Sequence, residues 1–560
     1  MKIWLKKDIY GDFDAVDVPE NTTAEHIFFR YRDQLPYTPM AAKINNIDRP
    51  LTWKVREGDR VELLDMRNRH ANLIYIHSLV LVFLKAIWDI SGNKASTEIK
   101  NSLNQGLYAE IKGEGALTEE YVNEISQRMK EIVELDMPIK SVSLNADMTL
   151  EFFNRHGMED RKEKLLSTAK TKKVTMCEID GYIDFFYDLM VPSSGYLELF
   201  EIRKYRRGIL LRFPGHQNPS VMPEYKDQKY LYRAFAETEI WQERLGIEYV
   251  GDLNEKIAKG TMKEVIQLSE ALHAKKIVEI TKEIIESGKR IILIAGPSSS
   301  GKTTFAKRLC IQLKVEGKNP VYLGTDDYFV DREETPLDEN GQPDYENLNA
   351  LNVKLFNDDM NLLLKGKEAD IPIFDFIEGK KMFGKRRTIA GAGEPIIIEG
   401  IHALNDSLTS DIDEEEKYRI YISPLTGLNI DSHNYIPTTD NRMLRRMVRD
   451  SIRRGKNASI TIEEWPRVMK GEEKNIFPYG ANADAFFNSV HIYEMAILKK
   501  YAKPLLERVD KEDPGYCEAR RLLRFLEFFD EFDDDELVAN DSILREFIGG
   551  SIFDRSYMEQ

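Results

Sequence analysis

The sequence has few cysteines, and their spacing fits neither a metal site nor a disulfide framework. Only three occur in 560 residues. This number excludes a disulfide-stapled fold and a zinc ribbon, and it predicts a reducing compartment. We therefore expect a cytoplasmic protein. The three cysteines are Cys177, Cys310 and Cys517.

Long apolar runs are also missing. The N-terminus has no apolar signal core, and the most apolar stretch, residues 73–87, carries His77, Ser78 and Lys85. That stretch is shorter than the ~20 apolar residues that cross a bilayer. The sequence therefore predicts a buried helix at this place and no contact with a membrane.

Positive charge is in deficit. Lysine and arginine number 79 against 95 acidic residues, which gives a net charge of −16. This balance argues against a dominant nucleic-acid surface, although a local basic patch remains open. With 42% hydrophobic and 31% charged residues the composition is ordinary, and the length predicts three or four domains.

One stretch carries a specific chemical signal. The sequence GPSSSGKTT, residues 296–304, fits the phosphate-binding pattern G-x-x-x-x-G-K-[ST] at every fixed position. An apolar run that is typical of a parallel strand precedes it, and apolar residues at four-residue steps follow it. Glycines in such a loop let backbone N–H groups face phosphate oxygens, and the helix N-terminus adds positive potential. Lys302 is expected to reach the β- and γ-phosphates, and Thr303 to hold Mg²⁺.

Three further elements follow in the order of a parallel α/β sheet. Residues 320–324 read as a strand that ends in Asp326 and Asp327, at the edge where such sheets bind ligands. Strand alternation predicts that these two side chains point to opposite sides. Residues 395–399 read as a strand that ends in Glu399, and residues 442–456 as an arginine-rich helix that could clamp phosphates.

On these motifs the second half, residues 289–508, resembles the uridine kinase / phosphoribulokinase family of P-loop kinases. The phrases TDDYF, PDYENLNAL, IPIFDFIEG, IIIEGIHAL and VRDSIRRG match that family's motifs in order. The resemblance implies that Asp326 faces the acceptor hydroxyl, with Lys302 and Arg449 as the other catalytic residues. It also implies a set of substrate-binding residues: Asp326, Tyr328, Glu346, Phe374, Phe376 and Arg449.

The same resemblance implies ATP and Mg²⁺. Thr303 is the expected metal ligand, together with a carboxylate such as Glu399 or Asp326. One departure concerns Gly379, which stands where uridine kinases have a histidine that contacts the pyrimidine. The expected ATP-binding residues are Gly296, Pro297, Ser298, Ser299, Ser300, Gly301, Lys302, Thr303, Thr304, Arg453 and Arg454.

The front half resembles parts of threonyl-tRNA synthetase. Residues 1–66 are similar to the ubiquitin-like TGS domain, although a generic β-grasp module without an RNA role remains open. Residues 67–225 resemble the α+β domain that hydrolyses mischarged tRNA through HxxxH and CxxxH motifs. Here His77 keeps the first position, while Leu81, Phe186 and Met190 replace the other three. A site without those polar groups cannot activate water, so we expect no hydrolysis and read His77 as a satisfied buried or surface histidine.

The sequence thus predicts an α/β multidomain chain. Its segments are a β-grasp domain (1–66), a synthetase-like α+β region (67–225), a helical connector (226–288), a kinase domain (289–510) and a C-terminal helical tail (511–560). The leading hypothesis is an ATP-dependent kinase acting on the 5′-hydroxyl of a nucleoside, uridine or cytidine in type. An ATP-binding, RNA-associated or nucleotide-sensing regulator, or a P-loop kinase for another small alcohol, are the alternatives. A homo-oligomer is compatible with the sequence.

Overall fold

The computed structural model is an α/β multidomain protein. It describes residues 1–92, 94–113, 117–156, 160–169, 171, 173–338 and 341–554. These residues form one parallel five-stranded sheet, one mixed five-stranded sheet, two antiparallel sheets of three and four strands, and two two-stranded sheets.

The N-terminal residues form a mixed five-stranded sheet with one helix. Alternate residues of the first strand, Ile3 and Leu5, are buried against that helix, which Thr23 caps by accepting from the His26 amide. The first and last strands are parallel, the arrangement expected of a β-grasp fold. The elements are β1 (Lys2–Lys6), β2 (Asp14–Asp17), α1 (Ala24–Tyr31), β3 (Pro39–Ile44), β4 (Ile47–Arg49) and β5 (Arg60–Asp65), with sheet order β2-β1-β5-β3-β4.

The next unit combines two antiparallel sheets with four helices. The helices predicted from the sequence are present, and one of them matches its predicted bounds at Glu119–Glu134. The elements are α2 (Arg69–Ser91), β6 (Ser96–Leu103), β7 (Gly106–Lys112), α3 (Glu119–Glu134), β8 (Ile139–Asn145), α4 (Ala146–His156), α5 (Asp160–Thr168), β9 (Lys173–Ile179), β10 (Tyr182–Phe185), β11 (Glu201–Tyr205) and β12 (Gly208–Arg212). The sheet orders are β11-β12-β7-β6 and β10-β9-β8.

Helix α2 is the long apolar helix of the chain. Asn68 caps its first turn, and it runs past the predicted 73–87 in both directions. Within the described residues it is the one helix long and apolar enough to cross a bilayer, yet 83% of its most apolar window is buried inside the protein. It therefore packs as the core helix that the sequence predicts.

Three helices occupy most of the range predicted as a helical connector. The longest of them packs Ile277, Ile280 and Ile284 against the same core that covers one face of the kinase sheet. These residues are therefore part of the body of the protein and not a free linker. The helices are α6 (Lys229–Leu245), α7 (Val250–Ala258) and α8 (Met262–Ser287).

The second half is built on a parallel five-stranded sheet. The three strands predicted from the sequence are present as β13, β14 and β19. The elements are β13 (Ile291–Ala295), α9 (Lys302–Val315), β14 (Val321–Gly324), α10 (Val353–Leu364), β15 (Ala369–Asp370), β16 (Ile373–Asp375), β17 (Lys380–Met382), β18 (Arg387–Thr388), β19 (Ile396–Glu399), β20 (Lys417–Ser423), α11 (Thr438–Arg454), α12 (Ala458–Asn475), β21 (Ala485–Asn488) and α13 (Glu494–Glu507). The sheet order is β14-β19-β13-β20-β21, so the phosphate loop follows the central strand.

The C-terminal residues are helical only in part. Of residues 511–554, only α14 (Tyr516–Leu526) and the single turn α15 (Arg545–Ile548) are α-helical. The prediction of a helical tail is therefore wrong for most of the segment. Ile543 and Phe547 are buried in the core beside the phosphate-loop helix, so the segment returns to the kinase domain.

One hydrophobic core is shared by several of these segments. It contains Phe153 and Leu165 of the second unit, Val250 of α7, Leu444 of α11 and Phe525 of α14. All five side chains are buried. The segments distinguished by sequence therefore do not each have a core of their own.

Candidate active site

The phosphate loop connects β13 to α9, as the sequence predicts. Phe305, Leu309 and Leu313 of α9 are buried against the sheet, which fixes the start of the helix behind the loop. Gly301 ends the loop with a φ of +84°. A Cβ added there would lie 2.5 Å from Ile543 Cγ2. Glycine is therefore required both by the backbone conformation and by the neighbouring C-terminal segment.

Lys302 and Thr303 stand at the first turn of α9. The Lys302 ammonium donates to the carbonyl oxygens of Gly296 and Pro297, at 3.0 and 3.3 Å. The Thr303 hydroxyl donates to Glu399 Oε1 at 2.9 Å. Lys302, which is predicted to contact the phosphates, therefore lies close to Thr303 and Glu399, the two predicted metal ligands, at one end of the sheet.

Glu399 is held in an unusual electrostatic state. Burial raises the pKa of its carboxyl to about 7, and the negative charge of Asp326 adds to this effect while Lys302 opposes it. Its Oε2 atom is buried and has no hydrogen-bond partner among the described residues. A buried carboxylate oxygen without a partner, next to a threonine hydroxyl, fits the oxygen ligands that Mg²⁺ takes.

Arginines of α11 hold the phosphate loop, but they are not the ones that the sequence singled out. Arg442 donates to the Ser298 carbonyl at 3.1 Å, Arg445 to the Ser299 carbonyl at 3.3 Å, and Arg446 to the Ser298 hydroxyl at 2.9 Å. All three belong to the arginine-rich stretch 442–456 noted in the sequence, but which of its arginines contact the loop depends on how α11 docks beside it. The hydroxyls of Ser299 and Ser300 are buried without a partner among the described residues.

The three predicted arginines lie further along the same helix. The guanidinium groups of Arg449 and Arg454 are each 3.4 Å from Asp450. Arg453 forms an ion pair with Asp554 of the C-terminal segment. In this conformation the structure thus places their charges on protein carboxylates.

The acidic pair after β14 does not continue the strand. Residues Thr325–Tyr328 form a turn of 3-10 helix, so the prediction that strand alternation separates the two side chains has the wrong basis. The two carboxylates nevertheless have different neighbours. Asp327 accepts from Arg386 at 2.9 Å, whereas the charge of Asp326 acts on Glu399 and Glu346.

Tyr328 does not fit its predicted role in substrate binding. The 3-10 turn directs its side chain into the core, where it is fully buried against Phe356. Its hydroxyl donates to Asp359 of α10 at 3.1 Å. Tyr328 is therefore a structural residue in this conformation.

Glu346 lies against helix α12. Its Cγ would be 2.9 Å from a Cβ added at Gly471, and its carbonyl accepts from Asn475 at 2.6 Å. Burial raises the pKa of its carboxyl to about 7, and the charge of Glu472 adds to the effect. The charges of Lys302 and Arg446 lower that pKa, which places Glu346 on the side of the sheet where the phosphate loop lies.

Aromatic rings gather next to these acids. Phe374 and Phe376 of the predicted base pocket are 5.1 Å apart, and both contact Phe329, at 5.6 and 6.3 Å between ring centroids. Phe374 is buried in the core, while Phe376 is 55% exposed. Of the two predicted stacking residues, Phe376 is therefore the one with a free ring face.

Gly379 has a neighbour that the sequence analysis missed. Its φ is +71°, and an added Cβ would lie 2.8 Å from the Arg332 side chain. The Arg332 guanidinium donates to the Phe376 carbonyl at 2.7 Å. An arginine from a distant loop thus fills the space around the position where uridine kinases have a histidine.

In the front half, the structure places the synthetase-like positions in an apolar setting. His77 is buried among the rings of Phe186, Tyr187 and Tyr435, and burial lowers its pKa to about 4. Both ring nitrogens lack a partner among the described residues, so the prediction of a satisfied histidine is wrong. Leu81 and Met190 are buried as well. The absence of hydrolytic activity stays a prediction.

Comparison with known proteins places the second half in a family. The sequence profile of the phosphoribulokinase / uridine kinase family matches residues 291–496. The chain is 26% identical over 181 residues to a uridine kinase of Leuconostoc citreum, which covers 32% of this chain and 77% of that protein. It is 29% identical over 197 residues to a uridine kinase of Staphylococcus epidermidis, which covers 35% of this chain and 84% of that protein.

Solved structures also align with part of this chain. A possible uridine kinase from Bacillus stearothermophilus covers 38% of this chain and 97% of its own, at 18% identity and a TM-score of 0.26. The residues that match the family profile, 291–496, include the phosphate loop and the parallel sheet that carries it. The C-terminal region of this chain is accordingly a P-loop kinase domain of the phosphoribulokinase / uridine kinase family, and that family uses ATP.

Proposed function

We propose that the chain transfers the γ-phosphate of ATP to the 5′-hydroxyl of a nucleoside. The observation that carries the proposal is the position of Asp326. Its charge acts on Glu399 beside the phosphate loop and on Glu346 beside the acceptor region, while Asp327 is engaged by Arg386. One carboxylate thus acts electrostatically on both acids, which supports Asp326 as the acid that faces the acceptor hydroxyl.

The chemistry follows from this arrangement. The oxygen of the acceptor hydroxyl bonds to the γ-phosphorus while Asp326 accepts the hydroxyl proton. The bond between the γ-phosphorus and the oxygen that bridges to the β-phosphate breaks, which releases ADP. Lys302 and the loop-facing Arg446 neutralise charge on the phosphates. Phosphoryl transfer depends on positioning and electrostatic stabilisation, and these groups supply both.

Mg²⁺ is part of the proposal. Within the described residues no cluster of three or more His, Cys, Asp or Glu side chains could hold a metal ion alone. Thr303 and Glu399 would hold Mg²⁺ together with phosphate oxygens and water, as is usual for this cation. When bound, the ion supplies charge neutralisation between the phosphates. The orphaned Glu399 Oε2 is the atom that supports this assignment.

Two residues support a nucleoside as the acceptor. Phe376 offers an exposed ring face on which a base can stack, and Glu346 offers a carboxyl that can accept from sugar hydroxyls. Arg332 at Gly379 makes the pocket different from one with a histidine at that position. The acceptor is therefore a nucleoside in our leading proposal, and another small alcohol in the alternative.

A regulatory function is the second candidate. Arg69, the first residue of α2, contacts Asp440 in the first turn of α11, the helix whose arginines hold the phosphate loop. Binding of a ligand to the front half could change the ATP site through this contact. In that case the protein would bind ATP without phosphoryl transfer and would bind tRNA.

We also propose a cellular location and a class of partner. The few cysteines support a cytoplasmic protein, and the net charge of −16 supports a small-molecule substrate over nucleic acid. A homo-oligomer remains compatible with both candidates.

The decisive experiment is a screen of nucleosides, sugars and other small alcohols with the full chain, Mg²⁺ and ATP. ADP release and a phosphorylated product, detected by phosphorus NMR, are expected for a nucleoside. Lys302→Ala is the control that must lose the product. If the chain binds ATP and binds tRNA tightly but forms no product, the kinase proposal is rejected in favour of the regulatory function.

A further inference from the structure

A carboxylate from the C-terminal segment lies on the first turn of the phosphate-loop helix. Glu546 Oε2 accepts from the Thr304 hydroxyl at 2.8 Å and from the Thr304 backbone N–H at 3.4 Å. Glu546 and Thr304 are far apart in sequence, so the contact exists only because the chain returns to the loop. Thr304 follows the Gly-Lys-Thr of the phosphate-binding pattern, and its N–H belongs to the helix N-terminus that binds anions.

A second carboxylate lies at the other end of the same loop. Glu472 of α12 accepts from the Ser298 backbone N–H at 2.7 Å and forms an ion pair with Arg442. Between the two, the Lys302 ammonium is turned back onto the loop carbonyls of Gly296 and Pro297. Donors that a bound phosphate would use are therefore engaged by the protein itself.

The segment that carries Glu546 is firmly attached. Ile543 and Phe547 are fully buried, and the Phe547 ring lies under the guanidinium of Arg445, whose carbon is 4.8 Å from the ring centroid. Beyond them, the Phe553 carbonyl accepts from Lys307 at 2.9 Å. The backbone around Glu546 is thus fixed on both sides, while its own half-buried side chain reaches the loop.

The charge of Glu546 also acts on Arg449, one of the three arginines predicted from the sequence. Burial lowers the pKa of Arg449, and the charges of Asp450 and Glu546 oppose this effect. Arg453 is paired with Asp554 of the same segment. The segment therefore engages Arg453, which the resemblance assigns to ATP, and its Glu546 charge acts on Arg449, which the resemblance assigns to catalysis.

We propose that Glu546 stands in for a nucleotide phosphate at Thr304, so that ATP must displace its carboxylate in order to bind. This inference rests on the nucleotide site of the proposed function and concerns the regulation of that site. It makes the affinity for ATP a competition between a tethered carboxylate and the phosphate chain. Anything that draws the segment 540–554 away from the loop would raise that affinity.

The competition has a definite sign. A carboxylate and a phosphate cannot share the same donors, and their negative charges repel at short range. Loss of the carboxylate charge should therefore tighten ATP binding. The expected gain is roughly tenfold, because a hydrogen bond to a charged group and its release are worth about one power of ten in affinity.

The test uses the full chain and isothermal titration with ATP, ADP and adenosine in the presence of Mg²⁺. Glu546→Gln should bind ATP and ADP about tenfold more tightly than the wild type and adenosine equally well, because adenosine has no phosphate. Asp541→Asn is the matched control: it removes one charge from the same segment, and Asp541 lies 3.8 Å from Arg308, which is one helical turn beyond Thr304. This control should bind all three ligands as the wild type does.

Several outcomes would overturn the inference. Glu546→Gln could bind ATP equally or more weakly, or Asp541→Asn could tighten ATP binding to the same degree. If Glu546→Gln fails to fold, Glu546→Asp replaces it: this variant keeps the charge but is one carbon–carbon bond shorter. It should bind ATP twofold to fivefold more tightly, and unchanged or weaker binding would contradict the inference.

The result also separates the inference from the proposed function. Tighter ATP binding by Glu546→Gln in a protein that phosphorylates no acceptor would support the displacement and reject the kinase activity. If the protein phosphorylates a nucleoside but Glu546→Gln binds ATP as tightly as the wild type, the kinase activity is supported and the displacement is rejected. If neither the wild type nor Glu546→Gln binds ATP, both fail.

Discussion

Replacement of Glu399 by glutamine should stabilise the nucleotide-free protein at pH 8 and at the same time abolish phosphoryl transfer. Burial raises the pKa of this carboxyl from 4.5 to about 7. The folded protein therefore keeps the proton up to about pH 7, whereas the unfolded chain releases it near pH 4.5. The corresponding stability is complete below pH 4.5 and is lost as the pH rises through 7.

The size of the effect follows from the shift. The difference between the pKa values of Glu399 in the folded and unfolded chain lowers the free energy of unfolding by at most ~3 kcal/mol at pH 8. Glu399 retains some exposure to solvent, which reduces the value, so we expect a gain of about 1–2 kcal/mol for Glu399→Gln. Glutamine can still accept a hydrogen bond from the Thr303 hydroxyl, so loss of this bond does not contribute to the expected difference in stability. The metal ligand is lost, and kcat should fall on the order of a hundredfold or more.

The assay is thermal unfolding without nucleotide and Mg²⁺ at pH 5 and pH 8, together with ADP release at pH 8. The Tm of Glu399→Gln should exceed that of the wild type at pH 8, and the difference should shrink at pH 5. Glu368→Gln is the control, because Glu368 is half-exposed in a surface pair with Arg387. A variant that is less stable than the wild type at pH 8, or equally shifted at both pH values, would refute the reasoning.

Three further predictions concern the two halves of the chain. Lys302→Ala should keep the wild-type Tm and lose product formation by a hundredfold or more, on the order expected for lost charge stabilisation; near-normal turnover would reject the phosphate-loop assignment. Asp326→Asn should lower kcat by roughly a hundredfold to ten-thousandfold with ATP affinity retained, and Asp327→Asn by much less; the reverse order would make Asp327 the hydroxyl-facing acid. The full chain should not release amino acids from mischarged tRNA, because Phe186 and Met190 stand where the related site has polar groups; measurable deacylation would contradict this.

The sequence predicts the parts of the site that depend on neighbours along the chain. The phosphate loop, its strand and its helix are local, so glycine spacing and apolar periodicity locate them. The turn at Thr325–Tyr328 shows where this reasoning ends, because the strand stops at Gly324 and the next residues coil into 3-10 helix. The alternation rule then no longer applies, and Tyr328 turns into the core.

Long-range contacts account for what the sequence does not reveal. Glu472 and Glu546 reach loop residues that lie 174 and 242 positions away, and Arg332 reaches Gly379 from another loop. Each residue is unremarkable in its own segment. Only the packing of α12 and of the C-terminal segment gives these side chains a role.

The shared core changes how the chain can be divided. Leu444 of α11 lies in the same apolar cluster as Phe153, Val250 and Phe525, which belong to three other segments. A fragment cut at the kinase boundaries would expose that face of α11 to water and withdraw the support of the arginines on the loop. Exchange of the kinase segment with that of a stand-alone enzyme would fail for the same reason. The kinase half and the front half of this protein therefore depend on each other for a complete core.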